Sequence, residues 1–209
     1  MRYVKWALWG IFWVLVASFL HYTLPQHDIV RITDTFEKRV DYGGENSIFW
    51  AKANTGNATD TVNRDVFFIQ TIRANGKPMV YRNEDTGWGW PPYFKFDTNN
   101  LQTEAADLKS TSANPQWVSV THYGWRNEFL SIFPNAVGVK AVAGPDVRII
   151  PWFNIILLVV LAAIFWAIRV RWIRFREARI DPVVENVEDS WDEGRGRISG
   201  WLSSWKRKK

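Results

Sequence analysis

Apolar positions fall along this chain in unlike patterns. From 6 to 20, fifteen residues pass without a charge, and Tyr22 and Leu24 extend the run up to Pro25. From 149 to 168, twenty residues pass without a charge, and Asn154 is the polar interruption. At 1.5 Å per helical residue the second run is about 30 Å long, the thickness of a bilayer's hydrocarbon core. The first is about 22 Å, or about 28 Å if it reaches Leu24. The second is apolar on every side and ends in Arg169, Arg171, Arg174, Arg176 and Arg179, which predicts a transmembrane helix. The first has a rival reading. Arg2 and Lys5 before a short apolar stretch also describe a signal peptide, with Val16-Ala17-Ser18 as its cleavage site. Bulky Phe19 and the Trp-rich run Trp6, Trp9, Trp13 favour an uncleaved anchor.

Between the two spans, residues 25–148 carry shorter, strand-like patterns. Residues 28–40 are β-prone, with Ile29, Val30, Ile32, Phe36 and Val40. Residues 66–72 (VFFIQTI) and 79–82 flank Asn75-Gly76, a hairpin signal because both residues tolerate positive φ. Pro78 suits the first position of the returning strand, and 83–92 (NEDTGWGWPP) reads as loop. Leu101, Ala105 and Leu108 recur at helical spacing, with Asn99 as candidate N-cap and Gln102 three residues later. After a polar connector, 117–123 alternates as a strand with Val118, Val120 and His122 on one face, and 136–142 is the last strand.

Three strands, a helix and two strands is the order of the five-stranded OB barrel; a generic α+β sheet is the competing arrangement. The expected architecture is a mostly-β domain, OB-like with one short helix, between two transmembrane helices. The segments are an N-terminal signal anchor (1–24), an extracytoplasmic domain (25–148), a second span (149–168) and a basic cytoplasmic tail (169–209).

Charge gives the expected orientation. Arg2 and Lys5 precede the first span, and five Arg follow the second within 169–179. Lys and Arg near spans stay on the cytoplasmic side, so both termini are expected there and the central domain in the periplasm. The chain's formal charge is +5, yet residues 25–148 hold 13 basic against 14 acidic side chains. Basicity therefore belongs to the membrane flanks, which argues against nucleic acid as a partner. Of the 14 Trp, nine lie in or beside membrane segments, where interfacial belts account for them. At the C-terminus Ile198, Trp201, Leu202 and Trp205 form an apolar helical stripe before Lys206, Arg207, Lys208 and Lys209. Trp201, Trp205 and this cationic cluster are the candidate membrane-surface residues.

The chain has no Cys, so it has no disulfide, thiolate metal site or cysteine nucleophile. The three His (21, 27 and 122) match no ligand spacing, and neither a metal ion nor a cofactor is expected. Gly87-Trp88-Gly89 continues as Trp-Pro-Pro, which cannot open a dinucleotide-binding helix. Glu84 and Asp85, beside Trp88, Trp90 and Tyr93, resemble the carboxylates and sugar-stacking rings of a glycan hydrolase. Adjacent strand residues point to opposite faces, however, and a solvated turn is the plainer account. The aromatic loop reads as core, as a shelf against the bilayer, or as a binding platform. A second dense patch holds His122, Tyr123, Trp125 and Arg126, with Glu128 nearby. A triad of His122 with Ser119 or Ser131 is conceivable on paper, but Ser119 falls on the opposite strand face. The candidate binding residues are thus Trp88, Trp90, Tyr93, His122, Tyr123, Trp125 and Arg126.

Two runs, 81–96 (YRNEDTGWGWPPYFKF) and 122–135 (HYGWRNEFLSIFPN), resemble the hallmark stretches of a bacterial domain-of-unknown-function family of small membrane proteins. The resemblance spans the N-terminal anchor through about Val142 and implies no activity, cofactor or catalytic residue. No catalytic constellation is evident. The leading expectation is an inner-membrane protein whose outer domain binds or scaffolds, with the lipid bilayer and an envelope protein or glycan as partners. The alternatives are an envelope hydrolase using Glu84, Asp85 or His122, and a membrane-surface sensor acting through the basic tail.

Overall fold

The computed structural model describes residues 2–41 and 63–183, together with 191 and 195. The chain forms two compact units, Met1–Pro151 and Trp152–Lys209. The first opens with helix α1 (Arg2–Thr23), whose apolar side chains stay uncovered along most of its length. Pro25 bars further helix by excluding Leu24 from helical geometry, and strand β1 (Gln26–Asp41) starts at the next residue. Then follow β2 (Asn63–Arg73), β3 (Pro78–Asn83), helix α2 (Thr98–Asp107), β4 (Val118–Tyr123) and β5 (Asn135–Ala141).

The five strands close into a barrel in the order β1-β2-β3-β5-β4. This is the expected OB-like arrangement, and the open α+β sheet is set aside. Closure depends on β1 serving two neighbours. Gln26–Val30 pairs antiparallel with β4, and Val30 onward pairs with β2, across an irregularity between Ile32 and Asp34. Such a bulge bends and twists a strand, which lets one chain turn a barrel corner. Parallel β3 and β5 meet at Arg82 and Asn135. The β2–β3 turn uses Gly76 at φ +78, as the Asn-Gly signal predicts.

The barrel interior is filled by Val30, Ile32, Ile69, Met79, Tyr81, Val118, Val120, Ala136 and Val139, with Leu101 and Ala105 of α2 packed into the same cluster. The N-cap of α2 is Asp97 rather than Asn99: its carboxylate accepts from the Asn100 amide. An acidic cap also complements the helix dipole, so the helix starts two residues earlier than expected.

In the second unit, α3 (Trp152–Phe175) passes into π-helical geometry over Arg176–Ile180. It begins three residues into the apolar run because Pro151 restricts Ile150 and supplies no amide donor. The segments Tyr3–Thr23 and Trp152–Val183 are both long and apolar enough to cross a bilayer, which fits a two-pass membrane protein. The stripe at Trp201 and Trp205 and the cluster Lys206, Arg207, Lys208 and Lys209 lie outside the described residues.

Candidate functional site

The two signature-like runs meet at the C-terminal end of α1 and build a socket for it. The last carbonyls of an α-helix have no partner within the helix and must be satisfied elsewhere. Here the barrel unit satisfies three in succession. The Gln26 side-chain amide donates to His21 O at 2.8 Å, the Gly124 amide to Tyr22 O at 2.9 Å, and the Tyr93 hydroxyl to Thr23 O at 2.7 Å. Gly124 sits at φ +91, a left-handed conformation that favours glycine, so glycine allows the turn that aims its amide at Tyr22. Around these bonds, Tyr93 stacks on Tyr123 at 4.8 Å and Tyr22 meets Tyr123 and Trp125 edge-on. Trp90 stacks on Phe19 at 5.6 Å, and the Trp125 indole donates to His21 Nδ1 at 3.0 Å.

Beneath the socket lies a charged platform. Arg82 and Glu84 form an ion pair at 2.9 Å with side chains only 5% and 6% exposed. Asn135 exchanges hydrogen bonds with the Glu84 backbone, accepting from its amide and donating to its carbonyl, and also donates to the Tyr123 hydroxyl. The Lys95 ammonium reaches the Asn83 side-chain oxygen, Glu84 O and Ala136 O. Burial pulls the Lys95 amine down to about 7, against the pull of the Asp85 charge in the other direction. Burial likewise pushes the Tyr93 and Tyr123 hydroxyls up, so both stay protonated, Tyr93 donating to Thr23 O and Tyr123 accepting from Asn135.

A second polar cluster clasps the barrel wall. Asp28 Oδ2 on β1 accepts from Arg73 Nη2 of β2 at 2.8 Å and the Tyr81 hydroxyl of β3 at 2.5 Å, and lies 3.4 Å from His122 Nε2 of β4. Four strands thus converge on one oxygen. Burial alone would raise the Asp28 carboxyl, but the nearby His122 and the hydrogen bonds from Tyr81 and Arg73 outweigh it and hold the group well below the usual carboxylate range. Burial, and then the Asp28 charge, push the Tyr81 hydroxyl far up.

The predicted residues therefore have different surroundings. Tyr93 and Tyr123 pack against α1, and His122 faces Asp28 and the Tyr81 ring, 5.1 Å away. Arg126 lies over the Phe133 ring at 4.4 Å and donates to Asn127 O and Ile132 O within its own loop. Trp88, Trp90 and Trp125 are exposed. Glu84 is no solvated turn residue: Arg82 draws it inside, while Asp85 stays on the surface and accepts from the Thr98 hydroxyl. The two carboxyls consequently do not face one another. Asp28, Arg73, Tyr81, Lys95 and Asn135 were not singled out from sequence. Asp28 had a signal, because it alternates in register with inward-facing Val30 and Ile32. Lys95 and Asn135 had none, since their partners are distant in the chain. Among the described residues, no group of three His, Asp or Glu is placed to hold a metal ion. An open, polar groove bordered by Lys109, Ser110 and Trp117 lies on other elements.

Fold and site together define a class: an OB-like barrel whose loops grip the end of an apolar helix long enough to span a membrane. The chain belongs to the family described as Protein of unknown function (DUF1523), which it matches over residues 1–176. That match takes in both apolar helices. A relative from Haemophilus influenzae, an uncharacterized protein, is 36% identical over 169 residues, covering 80% of this chain and 91% of that one. No solved structure matches.

Proposed function

We propose that this is a two-pass inner-membrane protein, with both termini in the cytoplasm, that displays a non-enzymatic binding or scaffold barrel in the periplasm for an envelope protein or glycan. The observation that carries this reading is the socket. Three capped carbonyls and a stack of rings join the anchor helix to the barrel without a flexible linker, so the barrel is held at a set attitude to its helix. A tether to be merely long would need no such joint. Of the candidate catalytic groups, Glu84 is buried in an ion pair with Arg82, His122 is buried 3.4 Å from Asp28, and Asp85 stands apart at the surface, so the three do not gather at one site, which supports binding over hydrolysis. Lys and Arg beside the spans support the orientation. Protease added to intact spheroplasts should cleave within the central domain while a reporter fused after Lys209 remains inside. A protected central domain, or an external reporter, would refute the proposal.

A further inference from the structure

Large apolar side chains are left in the open on a few connecting segments of the barrel unit. Between residues 25 and 151, the exposed ones among the described residues are confined to the β3–α2 loop, the β4–β5 loop and the segment approaching α3. The first loop presents Trp88, Trp90, Phe94 and Phe96, and the second Trp125 and Phe129. Trp88 is 83% exposed and Phe129 94%, although each could have folded inward at a gain of roughly 1.5–3 kcal/mol. Isolated exposed rings need no explanation, but a contiguous group does.

These loops are the two that hold α1. Trp90 lies on Phe19, Trp125 bonds His21, and both contacts fall in the last turns of the helix, where a spanning segment leaves the hydrocarbon. Trp88 is braced edge-on by Phe94 and Phe96, so the rings form a stiff group rather than a floppy loop. Cations are withdrawn: Lys95 is tucked into the platform, and Arg126 is folded over Phe133. Acidic Asp85, Asp97 and Glu128 stay at the surface of the same loops. Attraction to anionic headgroups therefore cannot be what seats them.

We infer that these rings form a collar that beds into the interfacial zone of the bilayer around the exit of α1, seating the barrel on the membrane by aromatic insertion rather than by charge. Trp and Tyr favour that zone because their rings are apolar and their polar tips stay wet. Six rings held by the loops that grip the helix place the lipid-facing surface in continuity with the span itself. The collar rests on the membrane-anchored reading above and adds the lipid partner of the socket's outer surface.

The absence of Cys makes the test direct, since one introduced thiol is unique. The full chain, carrying Trp88→Cys or Phe129→Cys with an environment-sensitive fluorophore, is reconstituted into phosphatidylcholine vesicles containing headgroup-proximal spin-labelled lipid. Asn75→Cys, in the β2–β3 turn, serves as the distant control, and Phe12→Cys, read with a deep acyl-chain quencher, reports on α1. Quenching at 88 and 129 several-fold above that at 75, unchanged by added phosphatidylglycerol, is expected. Labels at 88 and 129 as unquenched as at 75, with Phe12→Cys quenched, overturn the collar alone and leave that surface to a protein partner. Quenching that appears only with anionic lipid overturns insertion by rings. An unquenched label at 12 overturns membrane anchoring by α1 itself.

Discussion

The Asp28 clasp and the aromatic loops around α1 are separated by only a few residues of sequence, since Tyr81 leads into one loop and His122 into the other, yet they use their side chains in opposite ways. In the clasp, polar groups are taken inside and every strand but β5 contributes to one carboxylate oxygen. In the loops, apolar rings are kept outside and polar groups hold a helix end. Stability should therefore live in the interior clusters, and the outward rings should be nearly silent in a folding measurement. The comparison teaches that a residue's chemistry does not tell its role until its direction is known.

The sharpest way to break this contrast is at the platform. Glu84→Gln removes the buried countercharge that Arg82 faces and should cost roughly 3–5 kcal/mol in denaturant unfolding of the solubilised chain. Replacing both partners, as Glu84→Leu with Arg82→Met, should recover most of that loss, because an apolar pair has no desolvation penalty to meet. A small effect of the single change would show that the pair is solvated.

At the clasp, Asp28→Asn should cost about 2–4 kcal/mol, since Arg73 and Tyr81 lose a charged acceptor. Asp28 has its folded-state proton affinity depressed. Below about pH 4 the unfolded chain takes up the proton first, so stability is present above that pH and falls as the solution is acidified. The variant should show a flatter acid limb than the native chain.

Lys95 predicts a dependence at the alkaline end of the scale instead. Its folded value is about 7, against about 10.4 for a free lysine. Between those values the unfolded state binds more protons, so stability should climb with pH, by at most about 1.4 kcal/mol per unit. Lys95→Met should abolish that climb. Smallest of all, Trp88→Ser with Phe129→Ser should shift unfolding by no more than about 0.5 kcal/mol, the range of ordinary surface changes. A larger loss would mean that the rings brace the fold.

Much of the architecture was legible because it rests on local pattern. Uncharged runs of helical length, the Asn75-Gly76 turn and the strand alternation depend on neighbours one to four residues apart, and together they yielded five strands and a helix in the right order. Boundaries shifted where a single residue decided them, as at Asp97 and Pro151. The site was legible only in part. The aromatic density of the two runs drew attention to them, but nothing local told Tyr93 and Tyr123, which pack on α1, from Trp88, which faces out.

By itself the sequence determined the apolar spans, the order of elements and the stretches that matter, because these follow from periodicity and length. Barrel closure alone decided that Asp28 meets Arg73, Tyr81 and His122, that Glu84 is buried on Arg82, and that Tyr22 finds Gly124 and Tyr123. Except for Glu84 and Arg82, which are two residues apart and owe only their shared burial to the fold, those partners lie tens of residues apart, and only strand register and the docking of a helix end bring them together.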